Sequence, residues 1–128
     1  MAPEMGMGNT ALIGKLSDVY LLGAILFELI TGEPPHTGID VYSCIYNVIQ
    51  NKFAETDKKG ELMDIALKAM SRLQEERFQT VQNFQQAVRK YNTHHESIRL
   101  TQDALELLKE KESYEIYSNA VFGFREAL

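Results

Sequence analysis

The stretch SDVYLLGAILFELITGEPP, residues 17–35, decides the fold. Apolar side chains fill nearly every position of VYLLGAILFELI, residues 19–30. A helix that is apolar all round is buried in a core or inserted in a bilayer. A membrane span needs roughly 20 such residues. This run is shorter, contains Glu28 and follows no basic segment of the kind a signal peptide carries. The pattern therefore predicts a buried core helix over residues 17–31. Ser17 is expected at its N-cap, and Asp18 in the first turn, where a carboxylate meets the positive end of the helix dipole. Gly32 suits the left-handed position that closes a helix, and Pro34 and Pro35 stop any continuation.

On the N-terminal side, residues 1–16 show no period and read as a loop. On the C-terminal side, GEPPHTG, residues 32–38, is a turn, and Asp40 is expected to cap a helix over residues 41–50. Residues 61–71 read as a helix with Leu62, Ile65, Ala66, Ala69 and Met70 on one side. Thr80 would cap a further helix over residues 81–91, striped by Val81, Phe84, Val88 and Tyr91. Residues 95–110 carry Ile98, Ala104, Leu105, Leu107 and Leu108 at helical spacing, and residues 113–128 carry Tyr117, Ala120, Val121, Phe124 and Leu128. The polar KEKES between them, residues 109–113, reads as a short turn that folds the two segments into an antiparallel hairpin. No β-hairpin signal competes, so the expected class is all-α with six helices.

The 128 residues make a one-domain length, and 45% hydrophobic with 24% charged residues argues against a disordered chain. A net charge of -5 without a Lys/Arg cluster removes nucleic acid as an expected partner. The same charge balance and the short apolar run remove the membrane, leaving a cytoplasmic protein as the expectation. A single cysteine, Cys44, can form no internal disulfide.

His94, His95 and Glu96 are neighbours in sequence, and adjacent residues do not share a helix face, so they set up no zinc site. His36 follows two prolines in a turn and is expected to be exposed. Cys44 reads as a small buried hydrophobe within its helix. Tyr42, Tyr46, Phe84, Tyr114, Tyr117, Phe122 and Phe124 are expected in a core or interface.

Four segments taken together, MAPE (1–4), SDVYLLGAILFELITGEPP (17–35), LMDIALKAM (62–70) and EERFQTVQNFQQAVRKY (75–91), resemble one family. They are similar to the second half of the C-terminal lobe of a bacterial-type serine/threonine protein kinase, which includes an A-P-E motif. The resemblance covers residues 1–91 and implies a partial kinase C-lobe. It implies that Glu4 pairs with Arg77 in a buried ion pair, which a guanidinium can form through two parallel hydrogen bonds. Taken alone, the two residues read as solvated charges. The resemblance further gives Asp18 the structural task of holding the backbone of the catalytic loop, where the residue alone reads as an ordinary first-turn acid. Residues 92–128 lie outside this match. Their A-L-x-L-L and A-x-x-x-F-x-x-A-L patterns are similar to a single tetratricopeptide-type hairpin, which cannot bury its own face.

The kinase signatures G-x-G-x-x-G, H-R-D and D-F-G do not occur in this sequence. The expected sites are therefore structural (Glu4, Asp18 and Arg77), with no catalytic, cofactor-binding or metal residue in this chain. ATP and magnesium are expected only for a complete parent kinase. The expectation is a non-catalytic fragment of a serine/threonine protein kinase that self-associates through the exposed part of its central helix. Two alternatives stand beside it. One is a piece of a full-length active kinase whose upstream part is absent here. The other is a free-standing helical scaffold that binds a protein partner.

Overall fold

The computed structural model describes the backbone of residues 1–127 and the side chains of residues 1–121. Phe122, Phe124 and Leu128 therefore lie outside the described side chains. The described residues are all helical or irregular, with no strand among them. The chain divides into two compact units, Met1–Tyr91 and a second that starts at Asn92.

The first unit is built around α2. A one-turn helix, α1 (Pro3–Gly6), replaces part of the expected N-terminal loop, with Pro3 in the first turn, where its missing N–H costs nothing. Then come α2 (Lys15–Thr31), α3 (Val41–Ile49) and α4 (Glu61–Ala69), followed by the start of α5 (Val81–Ala127). Local chemistry sets most of the ends. Gly32 closes α2 at φ 80°, donating to the Glu28 carbonyl, a conformation that side chains with a Cβ resist. Asp40 accepts from the Ser43 amide at 2.7 Å, and Thr80 from the Asn83 amide at 3.0 Å.

Ser17 is not the N-cap of α2. The helix begins two residues earlier, with Gly14 at the cap, and Ser17 sits inside the first turn. Its hydroxyl accepts from the Gly14 amide and donates to Glu4, so a tertiary partner has taken the proton side of a residue that local rules assign to capping.

Two clusters hold the first unit together on either side of α2. Tyr20 and Phe27 pack with Ala2, Met63, Ala66 and Met70; Val19 packs with Ile65, Ala69 and Phe84. Burying a side chain the size of Phe27 is worth roughly 1.5–3 kcal/mol. The stripe Val81, Val88 and Tyr91 of α5 adds to the second cluster. The helices α2 and α4 cross closely at Gly23. A Cβ there would stand 2.7 Å from the Ala69 Cβ and 3.0 Å from the Ala66 carbonyl oxygen. Gly23→Ala is therefore expected to lose about 1–3 kcal/mol by overpacking, although alanine is the better helix former. A urea titration that shows no loss removes this account of the crossing.

The expected hairpin over residues 92–128 is not present: α5 runs unbroken through KEKES. The segment is polar, but Lys and Glu are good helix formers and neither Gly nor Pro interrupts it. One apolar stripe passes through it: Leu100, Leu107, Tyr114 and Val121 are seven positions apart, a drift of only about 20° per step around one helix. The described apolar side chains beyond Asn92 are exposed, Leu105, Leu108, Tyr114 and Tyr117 among them.

Three further expectations are corrected. His36 is buried, because Tyr20 and the Lys52 carbonyl take up its two ring nitrogens. Tyr42 and Tyr46 are not in the core: they are exposed, four apart on the side of α3 turned away from buried Val48. Cys44 is only half-buried, with its sulfur 3.7 Å from the His36 carbonyl oxygen.

Candidate functional site

The strongest polar constellation is a hub at the start of α2. Arg77 and Glu4, 73 positions apart, meet there with almost no solvent exposure. Arg77 Nη1 donates to Glu4 Oε1 at 2.8 Å and Nη2 to Oε2 at 3.0 Å, a two-point bridge. The remaining guanidinium hydrogens go to backbone carbonyls. Nε donates to Ser71 at 2.8 Å, Nη1 to Leu16 at 2.9 Å and Nη2 to Arg72 at 3.4 Å. A guanidinium has five N–H groups, and all are used.

The carboxylate is equally occupied. Glu4 Oε1 also accepts from the Ser17 hydroxyl at 2.7 Å and from Gln74 Nε2 at 3.0 Å. Gln74 in turn donates to the Leu12 carbonyl at 2.8 Å. Burial pushes the Glu4 carboxyl up, but the donors from Arg77, Ser17 and Gln74 outweigh it and hold its pKa at about 2. The hub ties α1, the loop before α2, the first turn of α2 and the segment between α4 and α5 into one knot. A carboxylate this committed, and ionised at every ordinary pH, is not available as a general acid or base.

Asp18 is not part of the hub. It is exposed on the first turn of α2, beside a shallow groove lined by Lys15, Thr80, Val81 and Gln82. Sequence reasoning missed Ser17 and Gln74 as ligands of Glu4. Gln74 had one usable signal: it lies three residues before Arg77, on a single 3-10 turn (Gln74–Glu76), so both side chains can reach one point. It missed a second polar group as well, in which Tyr20, whose ring lies under the Arg77 guanidinium, meets His36 and Asn51. Burial drives the Tyr20 phenol well above its ordinary range and the His36 imidazole below its own.

Among the described residues, no group of three or more His, Cys, Asp or Glu side chains could hold a metal ion. No helix of the described residues is long and apolar enough to cross a membrane. An apolar groove of about 460 Å³ beside α2 is lined by Leu21, Ala24, Ile25, Pro35, Ile45 and Val48, together with Met1, Glu28 and His36.

The chain is 34% identical over 85 residues to the serine/threonine-protein kinase PknB of Mycobacterium tuberculosis, a match that covers 62% of this chain and 13% of that kinase. The similarity is to serine/threonine protein kinases. It is distant and partial. The PknB of Mycobacterium leprae matches at 33% over the same length and share. Human mitogen-activated protein kinase kinase kinase 11 matches at 46% over 52 residues, 41% of this chain and 6% of that protein. No family model matches the chain. The bacterial kinases are thus matched over about an eighth of their length, in a chain that folds as an all-helical bundle.

Proposed function

We propose that residues 1–91 are the structural half of the C-terminal lobe of a serine/threonine protein kinase, a part that braces the lobe and transfers no phosphate itself. The Glu4–Arg77 bridge carries this reading. It joins the A-P-E motif to EERF, two of the segments by which the chain resembles that lobe, and the similarity to the bacterial kinases agrees. In this reading ATP, magnesium and the phosphoryl transfer belong to a complete parent kinase. The residues present do not fit those groups: the sequence has no G-x-G-x-x-G, H-R-D or D-F-G, and the hub carboxylate is fully engaged.

A chimera tests the proposal. The aligned segment of the mycobacterial kinase is replaced by residues 1–91, and autophosphorylation is measured with ATP and magnesium. The chimera is expected to retain phosphorylation, and the same chimera with Arg77→Ala to lose it. A chimera that folds by circular dichroism yet transfers no phosphate overturns the reading.

A second reading, self-association, rests on the outer face of α2. Ile25 is 56% and Leu29 78% exposed, beside the apolar groove described above. Contiguous apolar surface of this kind marks contact sites. Sedimentation velocity is expected to show a dimer at micromolar concentration, with Leu29→Glu shifting it to monomer. A monomer at high micromolar concentration removes this reading.

A further inference from the structure

Tyr20, His36 and Asn51 form a polar chain whose contacts outnumber its hydrogens. His36 Nδ1 lies 2.8 Å from the Lys52 carbonyl oxygen, and Nε2 lies 2.5 Å from the Tyr20 hydroxyl. The same hydroxyl is 2.6 Å from Asn51 Oδ1, and Asn51 Nδ2 donates to the Met70 carbonyl at 2.9 Å. Both ends of the chain are carbonyl oxygens, which only accept. Four contacts need four hydrogens. A neutral imidazole supplies one, the phenol one and the amide one along this line. Changing the tautomer, or turning the amide over, moves the gap without filling it. An imidazolium has a second N–H and fills it.

We infer that this chain is a proton-operated latch: protonated His36 closes all four contacts and pins the turn after α3 to α2 and to the end of α4, whereas neutral His36 leaves one contact open. The backbone of this turn is itself unusual. Asn51 has φ 54°, the left-handed region, where Asn is tolerated because its side chain can bond locally. Here both ends of that side chain are spent in the latch. The same turn seats Phe53, whose ring stacks on His36 at 5.2 Å.

The charged and titratable groups around His36 set the direction of each effect. From α2 come the Tyr20 phenol and, lining the groove, Glu28. The Arg77 guanidinium lies over the Tyr20 ring, 4.8 Å from its centroid, and is paired with Glu4. From the N-terminal segment the Met1 amino group disfavours a charge on His36. From α3 the Cys44 thiol meets the His36 carbonyl. The turn itself contributes the Lys52 carbonyl, which favours the charge. Burial opposes the charge most strongly and holds His36 below its ordinary value, so protonation lowers the stability of the fold relative to the unfolded chain. Within the fold the comparison is different. If the turn opens while His36 stays in its slot, the imidazole loses the carbonyl that favours its charge. Protonation therefore weakens the fold globally and tightens the turn locally.

Hydrogen exchange at the Ala54 amide, which donates to the Pro35 carbonyl at 2.7 Å, reads the turn. Its protection, corrected for the intrinsic pH dependence of exchange, is expected to rise about three- to tenfold between pH 7.5 and pH 4.5, the worth of one hydrogen bond. Tyr20→Phe removes two of the four contacts; of the two that remain, the Nδ1–H of a neutral imidazole satisfies one and the Asn51 amide the other. Protection at Ala54 is then expected to be flat with pH. Imidazole ¹⁵N shifts of the unmodified chain identify the protonation state in parallel. Equal pH responses in the two proteins overturn the latch, as does an imidazole that stays neutral down to pH 4.5.

Discussion

Arg77→Ala is expected to destabilise the first unit by about 3–5 kcal/mol, because it leaves the Glu4 carboxylate buried without its counter-charge. A unit of this size is held by roughly 5–14 kcal/mol in total, so the loss takes away a large part of it. The guanidinium also serves three backbone carbonyls, at Leu16, Ser71 and Arg72, and those lose a donor as well. Arg77→Lys is expected to rescue little, since an ammonium cannot make the two-point bridge and reach three carbonyls at once. Glu4→Gln combined with Arg77→Met is expected to cost less than the two single changes added together, because the double variant leaves no charge stranded. Urea titrations followed by circular dichroism measure the parent, Arg77→Ala, Arg77→Lys, the two single changes Glu4→Gln and Arg77→Met, and their combination. If Arg77→Ala stays within about 1 kcal/mol of the parent, the hub is not what holds the N-terminal segment in place.

Acid is expected to reproduce part of this loss without a mutation. The folded Glu4 carboxyl sits at about 2, against an ordinary value of 4.5 in the unfolded chain. A group whose folded pKa is depressed stabilises fully above the unfolded value and loses that contribution as pH falls through the folded one. The window is therefore pH 4.5 down to about 2. Urea midpoints measured from pH 6 to pH 2 should fall steeply in this window for the parent and less so for Glu4→Gln. Equal slopes would mean that the carboxyl is not held as the hub geometry requires. His36 acts in a separate window. Its folded pKa is also depressed, so its contribution is present above the ordinary histidine value and is lost as pH falls below it.

How far each feature could be read from the sequence follows the distance over which its cause acts. Gly32, Asp40 and Thr80 act on backbone groups within four residues of themselves, and each does in the fold what its local chemistry implies. The apolar run of α2 likewise marks the core helix, because hydrophobic burial depends on the amount of apolar surface and on no particular partner. KEKES reads as a turn by its polarity, but polarity is a weaker signal than the absence of a helix breaker.

Alone, therefore, the sequence determined an all-helical chain, the position of its central helix and most of the helix ends, all through interactions local in the chain or indifferent to partner. The tertiary structure decided everything that depends on a specific distant atom. It turned the Ser17 hydroxyl from a cap into a ligand of Glu4 and drew Gln74 into the same hub. It left Asp18 outside that hub and buried His36 between Tyr20 and the Lys52 carbonyl. For Glu4 and Arg77 no spacing rule applies across 73 positions, and only the resemblance to a kinase lobe named them together. Hydrogen bonds are short and directional, so a polar side chain's role is settled by which partner the fold brings within about 3 Å.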